Sequence, residues 1–86
     1  MTERRNVYSG TVWEPRVAYC RATRVGDIIA VSGTVAVDEH GKVVGANTYE
    51  QARYAIQKIE RALRELGAGL NDVVRTRTYL TDISTF

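Results

Sequence analysis

The chain has 86 residues, enough for one small domain that buries only about 60% of the surface its unfolded form exposes, so a staple or a partner subunit is expected. A composition of 44% hydrophobic and 26% charged residues is globular and excludes disorder. A net charge of +2, with twelve basic residues against ten acidic ones, is too small for a dedicated nucleic-acid surface, and no nucleic-acid partner is expected.

Met1-Thr2-Glu3-Arg4-Arg5-Asn6 lacks an apolar stretch of signal-peptide length. Arg4-Arg5, the only adjacent basic pair, is expected in a mobile terminus. Pro15 makes Trp13-Glu14-Pro15-Arg16 a loop or an extended edge. Tyr19 to Val25 and Ile28 to Ser32, separated by Gly26-Asp27, read as a β-hairpin ending at Gly33. Cys20, the single cysteine, excludes an intrachain disulfide and fits a reducing, cytoplasmic compartment; it is expected as a buried, inert thiol. Thr34 to Val37 and Lys42 to Val44 read as a second hairpin around Asp38-Glu39-His40-Gly41. His40, the single histidine, leaves no thiolate and imidazole set for zinc, and no metal is expected. The aliphatic run Ile28–Val31 is far too short to cross a membrane, so no membrane partner is expected.

Thr48 to Leu66 carries the strongest periodicity. Thr48 and Gln51 form a capping-box pattern, and Ala52, Ala55, Ile56, Ile59, Leu63 and Leu66 recur as one apolar stripe. Gly67 follows as the left-handed residue that closes a helix. After Ala68–Asp72, Val73 to Leu80 alternates like a strand. Val74, Thr76, Thr78 and Leu80 are expected under the helix, and Val73, Arg75, Arg77 and Tyr79 on the opposite face. Two guanidiniums exclude a private apolar core there, so that face looks to solvent, a ligand or another subunit. Thr81 to Phe86 opens a new element, with Asp82 and Ser84 as helix-cap candidates. The layout predicts an α+β two-layer sandwich, the helix packed on one face of a mixed β-sheet and the other face bare.

The run Ala18-Tyr19-Cys20-Arg21-Ala22-Thr23-Arg24-Val25-Gly26-Asp27-Ile28-Ile29-Ala30-Val31-Ser32-Gly33 resembles the opening of the RidA/YjgF family, also labelled endoribonuclease L-PSP. The likeness continues through Asp38–Val44, Glu50–Arg53 and Gly67–Asp82 in the right order. It implies a chorismate-mutase-like homotrimer, with sheets facing inward, helices outside and ligand clefts between subunits. It implies hydrolysis of 2-aminoacrylate and related imines to 2-keto acids and ammonia, with no cofactor. Tyr19 matches the family's cleft aromatic and is the catalytic candidate. Ser32 and Gly33 match its Ser-Gly turn, and Thr34 stands where many members carry Gln; these three are the substrate-binding candidates. Arg75, Arg77 and Tyr79 are the subunit-interface candidates. The family's carboxylate-binding Arg and water-orienting Glu would lie beyond Phe86, so the chain reads as a single domain over 1–86, incomplete at its C-terminal side. The alternative is a trimeric small-molecule binder without hydrolysis, which Thr34 in place of Gln favours. RNA cleavage ranks last, because no basic groove, histidine pair or aromatic platform is present.

Overall fold

The computed structural model describes residues 3–11, 13–16 and 19–85; Ala18 and Phe86, at the edges of segments read above, lie outside them. Strand β1 (Arg4–Val7), a one-turn helix α1 (Trp13–Arg16), strands β2 (Ala22–Val25) and β3 (Ile28–Val31) and helix α2 (Thr48–Glu65) follow in order. Two 3₁₀ turns, Leu70–Asp72 and Ile83–Thr85, come after them. The strands form one antiparallel sheet, ordered β1-β2-β3. The expected hairpin is present, with Ala22 opposite Val31 and Val25 opposite Ile28 across the Gly26-Asp27 turn.

Register assigns the faces. Val7, Ala22 and Val31 lie in one cross-strand row, and Asn6, Thr23 and Ala30 in the next. Because side chains alternate, these rows belong to opposite faces. The first row faces α2, where Ala22, Ala62 and Leu66 form the core with Val7 and Ile29 against it. Among the described residues the second face is bare. This arrangement is α+β with the helix on one side of the sheet, as the sequence predicts.

Several expectations are corrected. Arg4–Val7 is not a loose end but the edge strand beside β2, with Arg5 opposite Arg24. Trp13–Arg16 is a helical turn, because Pro15 falls in its first turn, where a missing N–H costs nothing. β2 starts at Ala22 and not at Tyr19, because a bend at Arg21 breaks the alternation and leaves consecutive residues Arg21 and Ala22 both buried. The second hairpin is reduced to one bridge, Val37 opposite Val43, below a loop in which the Asp38 carboxylate accepts from the N–H groups of His40 and Lys42.

Helix α2 starts one residue earlier than the capping pattern implies. Asn47, extended, accepts the Glu50 N–H at 2.9 Å and is the N-cap, while Gln51 donates to the Gly45 carbonyl. At the other end Gly67 has φ +84°, its N–H donates to Arg64 and that of Ala68 to Leu63. That is the Schellman closure, for which a left-handed residue is needed. The stripe buries at its C-terminal half only: Leu63 and Leu66 are buried with Ala62, whereas Ala52 and Ile56 are exposed.

Val73–Leu80 carries no ladder among the described residues, and Val74 is 98% exposed. The expected packing of Val74 under the helix is therefore absent. Alternation reports that a segment can pair, not where its partner lies. Asp82 does cap the last turn, accepting from the Ser84 N–H at 3.0 Å and hydroxyl at 2.7 Å. Among the described residues no helix is long and apolar enough to cross a membrane.

Candidate functional site

The sequence around residues 19–34 places Tyr19, Cys20 and Ser32 at one end of the sheet's bare face. They line an open cleft of about 300 Å³ with Arg4, Asn6, Tyr8, Thr23, Ala30 and Val31. All three strands build it: Arg4 and Asn6 come from β1, Tyr19 and Cys20 lead into β2, and Ser32 leaves β3 beside them. The Ser32 N–H donates to the Arg21 carbonyl at 3.0 Å, extending the ladder one step past Val31. The Ser32 hydroxyl donates to the Cys20 carbonyl at 2.6 Å, which leaves its lone pairs to accept. Cys20 is half-buried on this cleft, not the fully buried thiol expected. The bend at Arg21 is the reason, since it displaces the segment before it from the regular strand face.

Gly33 and Thr34 follow Ser32 and are not among the residues that line the cleft. Gly33 is exposed, and a Cβ there would meet nothing within 4 Å, so the chain's own packing does not demand glycine. Thr34 is half-buried with both hydroxyl functions engaged, donating to the Ser32 carbonyl at 2.9 Å and accepting from Arg21 at 3.1 Å. Lys58 of α2 fixes the next segment, its ammonium donating to the carbonyls of Val35 at 3.2 Å and Val37 at 2.8 Å. Burial lowers the Lys58 pKa, and the nearby Arg21 charge lowers it further.

One feature escaped sequence reading: a buried ion pair between Glu14 of α1 and Arg21. Their Oε2 and Nη2 atoms are 3.2 Å apart, and both side chains are almost wholly removed from solvent. Burial alone would raise the Glu14 pKa. The Ser9 hydroxyl at 2.6 Å, the N–H groups of Ser9 and Gly10, and the Arg21 charge overcome it and hold the carboxyl below its ordinary value. Opposite charges seven residues apart gave no helical spacing, and Pro15 masked the turn that aims Glu14 inward. Nothing in the residue types of Glu14 or Arg21 marks their burial.

The interface candidates are brought neither to the cleft nor to one another by the described contacts. Arg75 and Arg77 are exposed and Tyr79 is 83% exposed. Among the described residues no cluster of His, Cys, Asp or Glu could hold a metal ion.

The fold has counterparts among known proteins. The profile of a family described as Endoribonuclease L-PSP matches residues 10–86. A RutC family protein of Pyrococcus abyssi is 39% identical over 74 residues, which are 85% of this chain and 58% of that protein. A mouse protein named 2-iminobutanoate/2-iminopropanoate deaminase is 32% identical over 69 residues, 79% of this chain and 51% of its own length. The crystal structure of Rv2704 from Mycobacterium tuberculosis, a member of the YjgF/YER057c/UK114 family, superposes with a TM-score of 0.84 at 44% identity. That match covers 95% of this chain and 64% of Rv2704. The chain thus spans between about half and two thirds of the length of these relatives.

Proposed function

The chain belongs to the Endoribonuclease L-PSP (RidA/YjgF) family, and on that premise we propose that it hydrolyses 2-imino and enamine acids. The catalyst is a cytoplasmic homotrimer that uses no cofactor, and its clefts are completed between subunits. The observation that carries this reading is the shared cleft of Tyr19 and Ser32 at the end of the bare sheet face. The likeness to the mouse deaminase supports the substrate class.

The reaction is R–C(=NH)–COO⁻ + H₂O → R–C(=O)–COO⁻ + NH₃. Water adds to the imine carbon, the carbon–nitrogen bond breaks, and the nitrogen leaves as ammonia with protons supplied by that water. No electrons are exchanged. The chemistry needs an ordered water, a proton at nitrogen and groups that hold the carboxylate. Tyr19 contacts the reacting end through its phenol, and Ser32 accepts from the substrate N–H. The open main chain at Gly33 admits the carboxylate, and Thr34 fixes the turn behind it. Exposed Arg75, Arg77 and Tyr79 meet the neighbouring copy, which covers a face this chain leaves bare.

A second reading, a trimeric binder that does not hydrolyse, is favoured by Thr34. Its hydroxyl proton is committed to the Ser32 carbonyl and one lone pair to Arg21, so Thr34 has no proton to give a substrate or water. The two are separated by following ammonia release from freshly generated 2-aminoacrylate with the full-length protein. Release well above the buffer rate is expected. A rate equal to buffer, with saturable binding of a 2-keto acid, selects the binder.

A further inference from the structure

We propose that Arg21, held by Glu14, is the positioning residue of the cleft: it fixes Tyr19 as a hydrogen-bond donor and locks the Ser32–Thr34 turn. This inference rests on the imine-hydrolase reading and goes further, because it gives the cleft a defined donor and a defined acceptor.

Arg21 is 3% exposed and its guanidinium joins two regions far apart in sequence. On one side Nε and Nη2 donate to Glu14 Oε2 at 3.3 and 3.2 Å, and Nε reaches the Ser9 hydroxyl at 3.3 Å. On the other, Nη1 donates to the Gly33 carbonyl and to the Thr34 hydroxyl. Nη2 also approaches the Tyr19 phenol oxygen at 3.5 Å, and the guanidinium carbon lies 5.5 Å from the Tyr19 ring centroid. Three of the four cleft candidates thus touch one side chain.

Burying such a pair contributes little net stability, since well-packed apolar residues of similar volume serve as well. What it supplies here is direction. A guanidinium has five donors and no acceptor. It meets the Tyr19 oxygen only as a donor, so the phenol proton is turned away from Arg21 and is free for a ligand in the cleft that Tyr19 lines. It meets the Thr34 oxygen the same way, so the Thr34 proton is directed to the Ser32 carbonyl, as observed. Ser32, its own proton on the Cys20 carbonyl, presents an acceptor. The cleft then offers one donor at Tyr19 and one acceptor at Ser32. An imine or enamine nitrogen carries hydrogen for Ser32; a 2-keto acid carries none and leaves that acceptor unmatched, which favours substrate over product.

The test is steady-state hydrolysis of 2-iminobutanoate by the full-length protein and its variants, with circular dichroism to check folding. Arg21→Lys keeps the charge but loses the fork, and a kcat loss of about 10- to 100-fold is expected. Tyr19→Phe gives a comparable loss, and adding it to Arg21→Lys costs less than about twofold more, since one acts through the other. Thr34→Val lowers kcat and Thr34→Ser restores it. Arg21→Lys with wild-type kcat, or multiplicative losses in the double variant, overturns the proposal. If Arg21→Lys does not fold, the Thr34 variants decide: wild-type kcat in Thr34→Val overturns it. An unmutated protein without activity overturns the hydrolase reading and this inference together; an active one with insensitive variants overturns this inference alone.

Discussion

The Arg24 guanidinium on β2 donates to the main-chain carbonyl of Leu66 at 2.6 Å, so the sheet itself closes the C-terminal end of α2. Arg5 on β1 does the same to Glu65 at 3.0 Å. Both cations stand at the negative end of the helix dipole. Arg24→Met keeps the aliphatic stem and removes this contact. It should lower stability by about 1 kcal/mol, read as a shift of several degrees in thermal unfolding.

The helix start offers a contrast between neighbours. Asn47 caps the Glu50 N–H, so Asn47→Ala should cost about 1 kcal/mol in denaturant unfolding. Thr48→Ala should be close to neutral, because Thr48 is the first helical residue and not the cap. Equal costs at both sites would contradict the observed cap.

Glu14 makes stability depend on pH in a defined sense. Its folded pKa lies below the ordinary 4.5, so the unfolded state binds the proton more readily. Its contribution is complete above about 4.5 and disappears as pH falls through the depressed folded value. Asp38 and Asp82, also lowered, act with the same sign, so the comparison must be with Glu14→Gln. That variant should be less stable by about 3 kcal/mol at pH 7. The gap should narrow in denaturant titrations run below pH 4.5.

Two glycines should respond oppositely to alanine. At Gly45 the φ is +104° and a Cβ would stand 2.8 Å from the Gln51 nitrogen, so Gly45→Ala should destabilise by about 2 kcal/mol. At Gly33 the space is open, so Gly33→Ala should leave the unfolding free energy within about 0.5 kcal/mol of wild type. If the cleft binds its ligand against this main chain, the same variant raises KM.

Local signals were legible in the sequence and distant ones were not. The 3.6-residue period and Gly67 define α2, and the Gly26-Asp27 turn defines the β2–β3 hairpin, because each is settled within a few neighbouring residues. β1 was not legible: Arg4–Val7 shows no apolar alternation, and its partner β2 begins 15 residues beyond Val7. The end of α2 that packs was likewise hidden, since Ala52 and Leu63 look equivalent in a periodic stripe. Of the cleft, Tyr19 and Ser32–Thr34 were legible only through a family likeness. Glu14 and Arg21 were not, because opposite charges announce an ion pair in sequence but not its burial.

The most direct measurement is the distribution of ammonia-releasing activity when the full-length protein is sedimented at assay concentration. The account predicts that activity on 2-aminoacrylate travels with a species of three chains. Activity travelling with a single chain, with Arg75, Arg77 and Tyr79 facing solvent, would contradict it.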